Sequence, residues 1–328
     1  MRNATLENGS FHPSTNVPDS PTDIGKEGWK ATIKRANRKI VRDRVSMSAG
    51  SLAYHWFLAL FPAVIATLGV LALVHASAGF VDHVTHAVES GLPAGVGTVF
   101  SGAVKAANAR KSGSVVAVVI GVTVAIWSAS GGMSALQQAL DVAYEVPVDR
   151  KFMARRLHAI PLMAATLVLG GIGAALVILG APIGSGIEGH VPLHGYAFVV
   201  TWTIVRWVVT LIAITGLFSI FYFLGPNRES PRWRWVSVGG VFATVVFLVA
   251  SLGFSFYVTK FGSYSKTYGS FAGVAILIFW LYLTGLAVLV GGELNAEIER
   301  EAEVEVGDPV VTQVSAQQVE DDPAALSV

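Results

Sequence analysis

One arginine, Arg206, stands ten residues into an apolar run that opens at Tyr196. On a helix that is roughly 15 Å from the start of the run. Thr203 and Thr210, at i−3 and i+4, share its face and make a polar stripe through an otherwise apolar segment. An uncompensated guanidinium inside a bilayer costs at least ~2.5 kcal/mol, so the position requires a partner. No Asp or Glu lies within the apolar runs; the nearest, Glu293, follows the end of another run. The partner is therefore water in a cavity, backbone carbonyls freed near a kink, or an anionic group carried by a ligand. Snorkelling to the headgroups is the structural alternative. This is the chemistry of binding and passage, not of bond making.

The other reactive side chains point the same way. His55 lies one turn into the first apolar run, beside Tyr54 and Trp56, where an interfacial aromatic belt or a proton-relay role would each suit it. Glu293, Glu297 and Glu301 recur every four residues on a segment leaving the last run, a spacing expected of a solvated face, with Glu293 able to reach water at the boundary. His83, His86, His190 and His194 are the remaining metal-ligand types, but Pro192 interrupts the second pair and loop histidines are commonly solvated. No metal centre or cofactor is expected. Arg150, Arg155 and Arg156 flank an apolar run and are expected to set topology and touch lipid headgroups, with substrate capture as the alternative. Ser128, Ser130, Gln137 and Gln138 are expected to bond between helices. Hydrolysis of nucleic acid needs a metal cluster or a positioned acid–base set, and neither occurs, so no enzyme is expected.

The elements that must hold these residues are membrane helices. Of 328 residues, 53% are hydrophobic and only 14% charged, against about 25% charged in soluble domains. Apolar runs cover 51–74, 114–129, 157–180, 196–224, 236–258 and 271–292. The last has twenty-two residues without a charge, roughly 33 Å of helix, enough for a hydrocarbon core of about 30 Å. Within it Trp280, Thr284, Ala287 and Gly291 mark one face suited to close helix packing. In the third run, Gly170 with Ala174 and Gly171 with Ala175 form small-residue pairs, and 181–195 reads as a short loop. The fold class is all-α: a polytopic membrane protein with six transmembrane helices in one domain over 26–300.

Before the first run, residues 26–45 carry Trp29, Ile33, Ile40 and Val41 on one side, with Lys30, Lys34, Arg35, Arg38, Lys39 and Arg42 around the remainder. That pattern predicts an amphipathic helix lying in the interface, drawn to anionic lipid rather than to nucleic acid. Residues 1–25 and the acidic stretch 301–328 are too poor in apolar residues to bury a core and are expected to be disordered tails. The first fifty residues lack the short apolar core of a cleaved signal peptide. Cysteine is absent, so no disulfide or thiolate chemistry is available.

Several motifs resemble the YihY/BrkB membrane-protein family. They are Asp43, Ala53-Tyr54 and Leu60-Phe61-Pro62 in the opening run; WSASGGMSALQQALDVAYEV around the second; and Tyr222, Pro226 and Asn227 at the hairpin after the fourth. Tyr268-Gly269, then Trp280 to Leu283 and Gly291 to Glu297, match the last. The sequence departs at His55, where a tyrosine is usual, and at Asp141, where asparagine is. The resemblance covers roughly residues 29–300 and implies a six-helix protein of the plasma (inner) membrane. Members have at times been labelled ribonuclease BN.

Orientation comes from the basic residues. Seventeen Lys and Arg fall in 1–48, 134–156, 225–235 and the C-terminal stretch; five fall in the opposite connections. The positive-inside rule places both termini in the cytoplasm. The expected function is transporter or flippase-like handling of a lipid or amphiphilic envelope precursor, with membrane lipids as the partners. The alternative is a scaffold or assembly factor that transports nothing. Substrate identity, energy source and oligomeric state are not written in the sequence.

Overall fold

The structure, a computed structural model, describes residues 26–73, 115–188, 195–228, 233–260 and 270–306. Every regular element among them is helical: α1 (Lys26–Arg42), α2 (Val45–Leu73), α3 (Val115–Ala143), α4 (Phe152–Ala165), a π-turn (Thr166–Gly170), α5 (Gly171–Glu188), α6 (Gly195–Leu224), α7 (Trp233–Lys260) and α8 (Ser270–Val306). Among the described residues, four continuous stretches are long and apolar enough to cross a bilayer: 152–177, 195–224, 236–259 and 272–301. The α2 and α3 helices, at 29 residues each, are of similar length.

In chain order α2 packs between α3 and α8, α8 meets α7, α7 meets α6, and α6 meets α5 and α4; α4 returns to α3 and closes the ring. The core joins Leu52 of α2, Leu136 and Leu140 of α3, Leu162 of α4, Phe221 and Tyr222 of α6, and Leu289 of α8. Large apolar side chains also cover the outside: Leu252 is 71% exposed and Ile212 66%. In water such a surface would drive aggregation, whereas acyl chains solvate it at no cost.

Glycines set how closely the helices approach. A Cβ on Gly291 would lie 2.6 Å from the Ala243 Cβ and 3.2 Å from its Cα, so α7 and α8 meet backbone to backbone. The expected face of α8 is thereby accounted for: Ala287 is buried and Trp280 stacks edge-on against Phe247 of α7, centroids 6.0 Å apart. The tight contacts of α5 lie further along than the sequence suggested. Gly171 has open space where a side chain would go, while Gly180 and Gly184 receive Arg206 and Trp202 of α6. Both positions sit within or beside the expected loop, which instead remains helical as far as Glu188 despite Pro182. The Trp202 indole N–H donates to the Gly180 carbonyl at 2.6 Å, tying α6 to α5 two residues before that proline.

Two boundaries also shift. The last helix continues through Val306, so residues 301–306 belong to it and not to a tail. The α1 helix does not lie free on lipid: Trp29, Thr32, Ala36 and Lys39 turn inward and pack on α8, around Leu294 and Ile298. Ile33 and Val41 of the expected apolar side are exposed. Residues 1–25 and 307–328 lie outside the described residues.

Candidate functional site

The ends of the helices that carry most of the basic residues form a polar junction. Lys39 enters it from α1. Its ammonium donates to the Ala143 carbonyl at 2.8 Å and lies 3.4 Å from Glu145, 3.5 Å from Glu297 and 3.7 Å from Glu293. Arg35, one turn earlier, pairs with Glu297 at 2.7 Å and also with Glu301. Glu293 and Glu297 are each 1% exposed, so the expectation of a water-facing carboxylate and a solvated acidic helix is overturned. The reason is complementary spacing: cations at 35 and 39 lie over carboxylates at 293, 297 and 301, and α1 shuts them from water.

Glu145 ends α3 at a φ of +51°, a left-handed position that favours glycine. The cost is offset by what it gathers: Arg42 donates at 2.6 Å and Arg300 at 3.3 Å. Burial alone would push the Glu145 carboxyl up, but the Arg42 bond and the charges of Lys39 and Arg300 hold it below its usual range.

Beside this, the turn after α6 is held on α3 and α4. Arg150 donates to the carbonyls of Gly225 (2.6 Å) and Pro226 (3.0 Å) and to Gln137 (3.2 Å). A residue expected at the headgroups thus braces a turn. Asp141 accepts the Asn227 backbone N–H at 2.7 Å, and burial pushes its carboxyl up to about 6. The Tyr222 hydroxyl donates to the Val288 carbonyl at 2.7 Å, tying α6 to α8. Asn295 donates to the Tyr144 hydroxyl at 2.9 Å, and the Arg228 guanidinium stacks over the Tyr144 ring at 4.2 Å. Here the family-like residues of three separate motifs meet.

Next to the junction a cavity of about 390 Å³ opens between α2, α3 and α4. Ser48, Ser51 and His55 line it from α2, Gly131, Ser134 and Gln138 from α3, and Phe152, Arg155 and Arg156 from α4. His55 Nδ1 donates to the Ser51 carbonyl at 2.8 Å, which fixes the ring on its own helix. Arg156 donates to the Trp127 carbonyl (2.7 Å) and to Ser130 Oγ (2.8 Å), with its guanidinium 4.6 Å from the Trp127 ring centroid. Arg155 pairs with Asp149 and donates to the Arg150 carbonyl at 3.1 Å. Three of the candidates read from sequence, His55, Arg155 and Arg156, therefore share one wall.

Arg206 stands elsewhere. Its side chain lies along Gly180 of α5, where an added Cβ would meet Nη1 at 2.8 Å, and it is not in the cavity wall. Thr203 and Thr210 bond back to the Val199 and Arg206 carbonyls of their own helix, 2.7 Å each, so the polar stripe is spent locally. The four histidines at 83, 86, 190 and 194 lie outside the described residues.

Sequence reasoning passed over Lys39, Glu297 and Asn227 as partners. The signal for the first two was present, since the basic residues at 35 and 39 recur at the same interval as the glutamates. Nothing local could have placed Asn227 against Asp141, a contact across 86 positions.

Comparison with known proteins supplies the wider setting. The family model described as "Virulence factor BrkB" matches residues 36–313. A Bacillus subtilis protein named as ribonuclease-like, YfkH, is 33% identical over 80% of this chain and 93% of its own length. A UPF0761 membrane protein of Aliivibrio salmonicida is 27% identical over 80% of this chain and 81% of its own. Another, from Methylibium petroleiphilum, is 28% identical over 82% of this chain, which spans only 62% of that relative's length. No solved structure matches.

Proposed function

The chain belongs to the Virulence factor BrkB family of membrane proteins, and from that premise we propose that it moves or hands over a lipid or amphiphilic envelope precursor. In this reading it crosses the plasma membrane six times, with both termini in the cytoplasm. The observation that carries it is the cavity between α2, α3 and α4. A bundle needs no polar hollow to be stable, and hydroxyls, an imidazole and guanidinium groups lining one beside a lipid-facing surface suit an amphiphile with its head inside and its tail out.

Transport is tested by reconstitution. Liposomes carrying a fluorescent phospholipid and the purified protein should lose more fluorescence to an impermeant reductant than protein-free liposomes do. Equal loss for a panel of neutral and charged lipids, together with unchanged leaflet composition in cells lacking the protein, would remove the reading.

The scaffold alternative draws on the junction itself, whose ion pairs and turn braces suit a rigid frame, and on Arg206 lying outside the cavity. Under either reading the chain is not an enzyme. The ribonuclease-like name attaches to the Bacillus subtilis relative, and RNA incubated with the purified protein should remain intact.

A further inference from the structure

We propose that the cavity is a binding site for a phosphate-bearing anionic headgroup, with Arg156 as its anchor and Arg155 as its second cation. The inference deepens the transport reading and rests on it.

Charge balance is the first argument. Arg155 and Arg156 both line the cavity, and among the described residues no carboxylate does. The contacts of Arg156 are all neutral: a carbonyl, a hydroxyl, and the rings of Trp127 and Phe152 at 4.6 and 5.3 Å. These orient the guanidinium without neutralising it. The one carboxylate on Arg155 belongs to Asp149, whose side chain is 53% exposed and outside the wall. The Nε atoms of both arginines are buried without a hydrogen-bond partner among the described residues. A part-buried guanidinium whose own partners are neutral calls for an anion, and a phosphate accepts guanidinium N–H groups in charge-assisted bonds.

Preorganisation is the second. Gly131 lets the Arg156 head lie against α3, since a Cβ there would stand 3.3 Å from Nη1 and 3.6 Å from Nη2. With the head already held between helix and rings, little side-chain entropy remains to be lost on binding. Size and surroundings agree. About 390 Å³ accommodates a headgroup but not a whole lipid, and Tyr54, Leu58 and Trp127, each over 40% exposed, give α2 and α3 apolar outer surface for an acyl chain.

The absence of cysteine provides a clean test. Gln138→Cys places one thiol in the cavity wall, and Lys151→Cys places one outside it. Each variant goes into phosphatidylcholine nanodiscs with or without phosphatidic acid, and an uncharged maleimide reports the labelling rate. Relative to the Lys151 site, phosphatidic acid should slow labelling at 138 by about tenfold, the equivalent of ~1.4 kcal/mol of occupancy. Glycerol phosphate added to phosphatidylcholine discs separates the sources: protection by it assigns recognition to the phosphate itself, and protection by phosphatidic acid alone assigns it to the lipid. Arg156→Gln should abolish protection, and Arg156→Lys should keep part of it, with size-exclusion profiles showing that both fold. Labelling unaffected by either anion, or protection that survives Arg156→Gln, overturns the site. Lipid movement without protection would sink this proposal and leave transport standing; protection without lipid movement would do the reverse.

Discussion

Asp141 has one oxygen on the Asn227 N–H and a second that is buried without a hydrogen bond among the described residues. It lies in the last turn of α3, beyond the apolar stretch, with Arg150 as the main compensating charge. Because burial raises the folded carboxyl to about 6, from an ordinary 3.8, the folded state holds the proton more tightly than the unfolded chain. Its contribution to stability is present below the ordinary value and is lost as pH rises through about 6. Asp141→Asn keeps an acceptor for Asn227 and removes the charge. The variant should therefore melt higher than the parent above about pH 7, and the difference should vanish by about pH 4 in tryptophan-fluorescence melts. A gain that persists undiminished at the acid end would contradict the burial account. Asparagine is also the residue expected here from the resemblance to the family, so the substitution restores the usual pattern. The same scale shows what a sequence can and cannot give. Arg206 was legible as a costly charge, and the structure lays it on Gly180, a neighbour 26 positions earlier that no spacing rule connects to it. Arg156 was legible only as one of a basic group, because its value lies in two neutral acceptors and two rings assembled from α3 and α4.

At the scale of elements, the helices were readable because long apolar runs have few other solutions. Their ends and contacts were less so. Residues 181–195 read as a loop, yet the backbone stays helical to Glu188 with Pro182 inside it, as membrane helices tolerate, and Trp202 of α6 clamps that segment through the Gly180 carbonyl. Amphipathicity foretold α1 and misjudged its partner: the acidic face of α8 competes with lipid for the same cations and has the advantage of fixed geometry. Pair geometry between α7 and α8 gives a sharper prediction. An added methyl at Gly291 meets Ala243 backbone and the Tyr222 hydroxyl, neither of which can swing away. Gly291→Ala should separate the two helices and weaken the Tyr222 bond to Val288, at a cost of about 1–3 kcal/mol typical of overpacking. Gly253, on the same α7, has nothing within 4 Å of an added Cβ. Gly253→Ala should be neutral or slightly stabilising, since alanine is the better helix former by up to about 1 kcal/mol. Melting temperatures of the pair decide the matter, and equal effects would show that α7 and α8 do not approach as closely as described.

Across the described residues of the whole molecule, charge is gathered at one end. Arg35, Lys39, Arg42, Arg150, Arg155, Arg156, Arg228 and Arg300 all make contacts in or beside the junction. The opposite end is tied by a lighter device, the Gly195 N–H donating to Glu188 at 2.8 Å. Insertion follows the distribution of Lys and Arg in short connections, so the charged end is expected in the cytoplasm. Ser185 on α5 and Lys151 before α4 are both exposed and lie near opposite ends of the same transmembrane path. A cysteine at 185 should react with an impermeant maleimide in intact cells, and one at 151 should react only after the membrane is opened. The result also decides how the cavity would work. Facing the cytoplasm, a guanidinium-lined hollow meets newly made phosphate-bearing amphiphiles and takes them up at the inner leaflet. Labelling at 151 from outside, with 185 protected, would turn the molecule over and make the same hollow a place of release.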